Sequence, residues 1–206
     1  MKKLILMMVV MTLALNSNSA QSGFVFGVKG GANYSNQYDS KTSDFTATSK
    51  FGFAAGAFLG IPLGQYLGIQ PEILFSQKGF KATGKVLGSP YDLTRTTDYI
   101  DVPLLLTIKP IEYVSIVVGP QYSYLIKQKD VFSNNIFSTE QSKEFTNENL
   151  RKNVLGFVGG VDINVKSVVV GLRAGWDIQN NNGDGTTTTP RYKNAWTQAT
   201  LGFRLY

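Results

Sequence analysis

From Tyr99 to Tyr124 the chain alternates between apolar and mixed positions with period two. Ile100, Val102, Leu104, Leu106 and Ile108 fall on one face, and Asp101, Pro103, Leu105, Thr107 and Lys109 on the other. After a turn at Pro110, Val114, Ile116, Val118, Pro120, Tyr122 and Tyr124 share the apolar face, against Ser115, Val117, Gly119, Gln121 and Ser123. Successive side chains of a strand point to opposite sides, so this stretch reads as two paired strands. The same alternation recurs over Phe24 to Tyr34, Phe51 to Ile61, Tyr66 to Phe80, Val154 to Asn164, Val168 to Ile178 and Trp196 to Tyr206. The pattern predicts eight strands of about ten residues, the length a tilted strand needs to cross a bilayer.

The connections alternate long and short. Polar segments at Ser35 to Lys50, Lys81 to Asp98, Gln128 to Lys152 and around NNNGDGTTTTP are long, while Pro62 to Gln65, Pro110 to Glu112 and Asn164 to Ser167 are brief. In an up-and-down barrel this sorting collects every short turn and both termini at one end. Outer-membrane barrels have short periplasmic turns and long extracellular loops. Aromatic rings at strand ends fit the two interfaces: Tyr66 and Tyr113 at the short-turn end, and Tyr34, Phe51, Tyr99, Tyr124 and Trp196 at the other. The predicted fold is all-β, an eight-stranded antiparallel up-and-down transmembrane β-barrel. It occupies residues 21–206, behind a signal peptide at 1–20.

Period two does not say which face points in. A soluble, lipocalin-like barrel would turn the apolar face inward around a ligand. The membrane reading turns it outward and leaves the mixed face to a narrow lumen. That face is rich in Gly and carries Lys29, Glu72, Lys78, Asp101, Gln121, Lys127, Asp162, Arg173, Asp177 and Arg204. Lys or Arg on lipid costs about 2–4 kcal/mol at the midplane, which favours the inward placement. Both signs are present, so these residues are expected to form a paired polar network filling the lumen. The alternative is a polar conduit for small solutes.

Composition narrows the chemistry. The 206 residues include no Cys and no His. Ser–His and Cys–His nucleophiles are absent, as is the commonest transition-metal ligand. An enzyme is not expected, nor are a cofactor, a metal or catalytic residues. The net charge is +6, two units of which come from Lys2 and Lys3, and no basic stripe with interleaved aromatics points to nucleic acid. Lys2 and Lys3, the apolar run Leu4 to Leu15 and the small polar stretch to Ala20 have the layout of a secretory signal, with an N-terminal anchor as the alternative. Asn180, Asn182, Asp184 and Gly185 open like a calcium loop, but Arg191 stands where a bidentate Glu belongs. Glu72 and Asp101 are the one carboxylate pair that could be weighed for glycosidase chemistry, with lumen packing as the alternative.

Several segments together resemble a known family. They are Gly27-Val28-Lys29-Gly30-Gly31, Pro71-Glu72-Ile73-Leu74-Phe75-Ser76-Gln77-Lys78-Gly79, Tyr99-Ile100-Asp101-Val102-Pro103-Leu104-Leu105, Gly119-Pro120-Gln121-Tyr122 and the closing Leu201-Gly202-Phe203-Arg204-Leu205-Tyr206. In these the chain resembles the PorT-type outer-membrane β-barrel proteins, also labelled porin-family or outer-membrane-protein β-barrel domain, common in Bacteroidetes. The resemblance implies a cell outer-membrane location and an eight-stranded barrel, and no catalytic residue. One namesake group takes part in secretion of surface proteases. Tyr206 departs from the phase of Leu201, Phe203 and Leu205, which weakens the terminal signal read by barrel-assembly machinery. The expected partners are outer-membrane lipid and a protein met through the long extracellular loops. The expected role is structural, interaction or secretion-associated, with a porin-like channel or transporter as the alternative.

Overall fold

A computed structural model of the chain describes residues 23–38, 46–86, 89–133, 138–143, 151–181 and 192–205. The stretch expected to be a signal peptide, and Asn182, Asp184, Gly185, Arg191 and Tyr206, lie outside the described residues. The strands are β1 (Val25–Tyr38), β2 (Thr46–Pro62), β3 (Leu67–Val86), β4 (Ser89–Ile111), β5 (Val114–Ser133), β6 (Ser138–Lys143), β7 (Asn153–Val165), β8 (Val168–Asp177) and β9 (Lys193–Arg204).

Eight of these strands form a closed ring. Each neighbouring pair is antiparallel: β1 binds β2 and β9, the order continues through β8 and β7 to β5, and β4 against β5 closes it. The remaining strand, β6, pairs only with the far end of β5, Gln128 to Ser133, beyond the ring. Closure leaves no free edge among the ring strands, which is what lets strands cross a bilayer.

Burial alternates as the pleat requires, and it settles which face is which. Leu104 is 52% exposed and its neighbour Leu105 is fully buried. Phe53, Ile73, Leu172, Leu201 and Phe203 are likewise exposed, while Lys29, Glu72, Asp101 and Asp162 are enclosed. The apolar face points outward, which removes the ligand-holding soluble barrel. The described residues contain no helix long and apolar enough to cross a membrane; the crossing is made by strands.

Three expectations need correction. Tyr99 and Trp196 are not outer-rim aromatics; they are 3% and 4% exposed and point into the lumen. Each lies on the inward parity of its own strand, in phase with Asp101 and Gln198, and parity overrides the preference of an aromatic ring for the interface. Lys127 is not in the lumen. The β4–β5 register shifts between Asp98 and Tyr99, so Asp98 faces Lys127 while Tyr99 faces Leu125. This β-bulge inserts one residue and inverts the alternation. Leu125 and Gln128 are buried, and Ile126 and Lys127 are exposed.

Three stretches expected as loops are partly strand. β1 runs on to Tyr38 and β2 begins at Thr46, β3 and β4 stay paired up to Val86 and Ser89, and β5 runs through Gln128 to Ser133. Their residues are polar because they leave the apolar belt, not because they leave the sheet. A small cluster of Phe80, Ala82 and Tyr192 packs there with Ala47 and Leu93. Gly79 allows the close approach of β3 and β4 at this level. Its φ is +149°, and a Cβ would lie 2.1 Å from the Arg95 carbonyl oxygen.

Candidate functional site

The inward positions of the strands stack polar side chains in tiers along the lumen. The lowest tier lies at the short-turn end. Asn164 on β7 donates from Nδ2 to the Ser115 hydroxyl on β5 at 2.9 Å, and Arg204 on β9 donates from Nη2 to Asn164 Oδ1. Thr107 on β4 is buried here with no partner for its hydroxyl. These groups line a cavity of about 670 Å³, whose rim is set by residues of the β2–β3 turn such as Leu63 and Gly64.

Above it sits a four-charge tier. Lys29 on β1 donates to Glu72 Oε2 on β3. Arg173 on β8 grips Asp162 on β7 through both terminal nitrogens, Nη2 to Oδ2 at 2.9 Å. Nη2 also lies 3.6 Å from Glu72 Oε1, which accepts from Gln70 at 2.8 Å. The side chains of the tier are at most 5% exposed. Two cations against two anions, from four strands, make a neutral layer; burial of charge is tolerated only with such pairing. The space left beside Lys29, Phe58, Gln70, Asp162 and Arg173 is about 10 Å³, barely one water.

The next tier centres on Lys78. Its Nζ lies 2.9 Å from Asp101 Oδ2 and 3.8 Å from the ring centroid of Trp196, with Tyr99 at 4.9 Å. The two inward aromatics are thus a π-face for a buried ammonium. Asn33 bridges β1 to β3 through Ser76 at 2.9 Å and receives Gln198 Nε2 from β9 at 2.8 Å. Asp177 accepts from the Asn194 backbone and side-chain amides at 3.1 and 2.6 Å. Gln121 donates to Ser123 at 3.1 Å.

A last tier lies toward the long-loop end. Arg95 on β4 makes two 2.8 Å bonds to Asp130 on β5, and its guanidinium lies 5.7 Å from the Phe80 ring centroid and 5.6 Å from that of Tyr192. Burial works against its charge, but Tyr192 and Asp130 together outweigh that and hold Arg95 above its ordinary value. Burial raises the Tyr192 phenol, and the neighbouring Arg95 only partly offsets it.

Eight of the ten residues singled out from sequence are buried in the lumen: Lys29, Glu72, Lys78, Asp101, Gln121, Asp162, Arg173 and Asp177. Arg204 lies half-buried at the mouth, and Lys127 is outside. Glu72 and Asp101 are held by different lysines, in separate tiers. Sequence reasoning missed the uncharged members, Asn33, Ser76, Asn194 and Gln198, and the Arg95–Asp130 pair. The parity of the strands carries the first set, and following the odd positions of β4 back from Asp101 through Tyr99 and Thr97 reaches Arg95.

No curated protein matches the chain in sequence. Among solved structures the chain is similar to Ail, the attachment invasion locus protein of Yersinia pestis, at 15% identity and a TM-score of 0.51, over 90% of this chain and 100% of that one. Neisserial surface protein A aligns at 12% identity and a TM-score of 0.49, over 87% and 97% of the two chains. The first likeness shows the same barrel architecture. A family model described as outer membrane protein beta-barrel domain matches residues 16–182. The chain therefore belongs to that family of outer-membrane β-barrel proteins.

Proposed function

We propose that this is an outer-membrane barrel with a lumen closed to solutes, acting through what it carries outside the membrane as a structural, interaction or secretion-associated protein of the PorT type. The observation that supports closure is the four-charge tier of Lys29, Glu72, Asp162 and Arg173, which spans the lumen and leaves about 10 Å³ beside it. A pore would need a continuous water path, and removing paired charges to make one would strand their partners. The mature barrel is refolded into detergent, its heat-modifiable gel mobility is confirmed, and it is placed in a planar bilayer. A folded, silent barrel is expected. Stable discrete conductance steps would replace this reading with the solute channel.

The partner surface on this reading is the wall that β3, β4, β5 and β6 raise beyond the apolar belt. Replacing residues 131–149 by a short Gly/Ser turn keeps Asp130 with Arg95 and removes β6. Loss of partner capture with retained gel mobility is expected; undiminished capture would remove this segment from the reading.

A further inference from the structure

The cavity at the short-turn end is more than a gap in the packing. Its volume, about 670 Å³, is that of a small-molecule site. Its inner end meets the four-charge tier, and that floor rests on the closed-lumen reading; the donors described next do not. What matters is the chemistry left unspent on its walls. Arg204 uses one nitrogen on Asn164, while its buried Nε has no partner. The Thr107 hydroxyl, on a residue 4% exposed, has none either. Ser115 accepts from Asn164, which leaves its own proton to give. Lys109 brings a second cation to the same cavity. The acidic side chain on this wall, Asp162, is taken by Arg173. A buried donor without an acceptor is costly, and here a guanidinium and an ammonium face the same space while the carboxylate on its wall, Asp162, is gripped by Arg173 and reaches Arg204 only through its charge.

Apolar surface faces the same space. Val25 on β1, Phe58 on β2 and Val169 on β8 line the cavity from the inward parity of their strands. Donors and hydrocarbon around one space select an amphipathic occupant with an acceptor-only head. We propose that this vestibule is a periplasm-facing binding site for a small amphipathic anion. A carboxylate or phosphate head is held by Arg204, Lys109 and Thr107, and a short apolar portion lies on Val25, Phe58 and Val169.

The test uses the mature barrel in lipid nanodiscs, titrated with phenyl phosphate and, separately, with inorganic phosphate, by calorimetry and amide NMR. Phenyl phosphate is expected to bind one per barrel, to shift amides at residues 107, 115, 164 and 204, and to be displaced by hexanoate. Inorganic phosphate is expected to bind at least tenfold more weakly, because it leaves the apolar surface of Val25, Phe58 and Val169 unused. The double variant Arg204→Gln, Lys109→Gln should weaken phenyl phosphate at least tenfold. Thr107→Val, which keeps the shape of the side chain, should weaken it several-fold and guards against misfolding of the double variant. Absence of saturable binding, binding indifferent to these variants, or equal affinity for inorganic phosphate overturns the proposal. A barrel that conducts ions yet binds phenyl phosphate as described overturns the closed lumen alone.

Discussion

Replacing Arg173 by Met removes the guanidinium that Asp162 and Glu72 share and leaves a side chain of similar length. At 2.9 Å and an effective dielectric constant near 20, each charge contact is worth roughly 6 kcal/mol before desolvation is subtracted. Desolvation takes back much of this in the intact protein. The variant is costlier than that balance suggests, because Asp162 stays buried as an anion that has lost its bidentate partner. Removing one member of a buried pair costs about 3–5 kcal/mol. Lys29 is close enough to act on Asp162 electrostatically, which places the expectation at the lower end, about 3 kcal/mol, or a factor of 10² in the folding equilibrium. Reversible urea unfolding in phospholipid vesicles measures it, with Trp176 and Trp196 as reporters. The double variant Arg173→Met, Asp162→Leu should recover most of the loss, since an apolar pair of matching volume is often neutral. A single variant within about 1 kcal/mol of the parent, or a double variant equal to the sum of two singles, would falsify the view that this tier is one coupled unit.

Three further expectations concern other tiers. Brominated lipid should quench Trp176, 44% exposed on the outer face, and spare Trp196, 4% exposed, as read from Trp196→Phe and Trp176→Phe respectively; equal quenching would put Trp196 on the wrong side of the wall. Gly79→Ala should cost about 1–3 kcal/mol in the same unfolding assay, because the new methyl meets the Arg95 carbonyl oxygen at a backbone angle that suits only Gly; a neutral outcome would contradict the close approach. Tyr192 titrates above the usual tyrosine value of 10.0 because burial disfavours the phenolate. Its contribution to stability is complete below that value and is lost as pH rises through the higher folded value. Alkaline difference absorbance should show a late-ionising fraction that Tyr192→Phe diminishes by one tyrosine, and an unchanged late fraction would refute this.

The barrel was legible because one rule, the alternation of side chains, acts on every strand at once. A neutral lumen of paired charges follows from the same rule, since Lys29, Glu72, Asp101, Asp162 and Arg173 all fall on the mixed parity. What stayed hidden breaks or outlasts the rule. The bulge opposite Asp98 and Tyr99 changes the phase of β5 without changing its composition, so Lys127 looks like a lumen residue until the pairing is seen. The upper halves of β3 and β4 turn polar residues outward and pack Phe80, Ala82 and Leu93 inward, and without an apolar outer face the stretch reads as loop. Trp196 misled in another way: residue type pointed to the interface, whereas the phase of β9 pointed to Lys78. Where type and phase disagreed, phase was the stronger physical constraint.

The extra length of β3 and β4 has a consequence for scale. β4 has 23 residues, and a tilted crossing uses about 9–11 of them. At about 3.3 Å per residue and a tilt near 45°, the remainder lifts the end of the hairpin about 25–30 Å above the hydrocarbon core. That is a stand-off distance close to the diameter of a small folded domain. A bulky body approaching the cell meets the tip of this hairpin while still far from the bilayer, and what it meets is held by a hydrogen-bonded ladder.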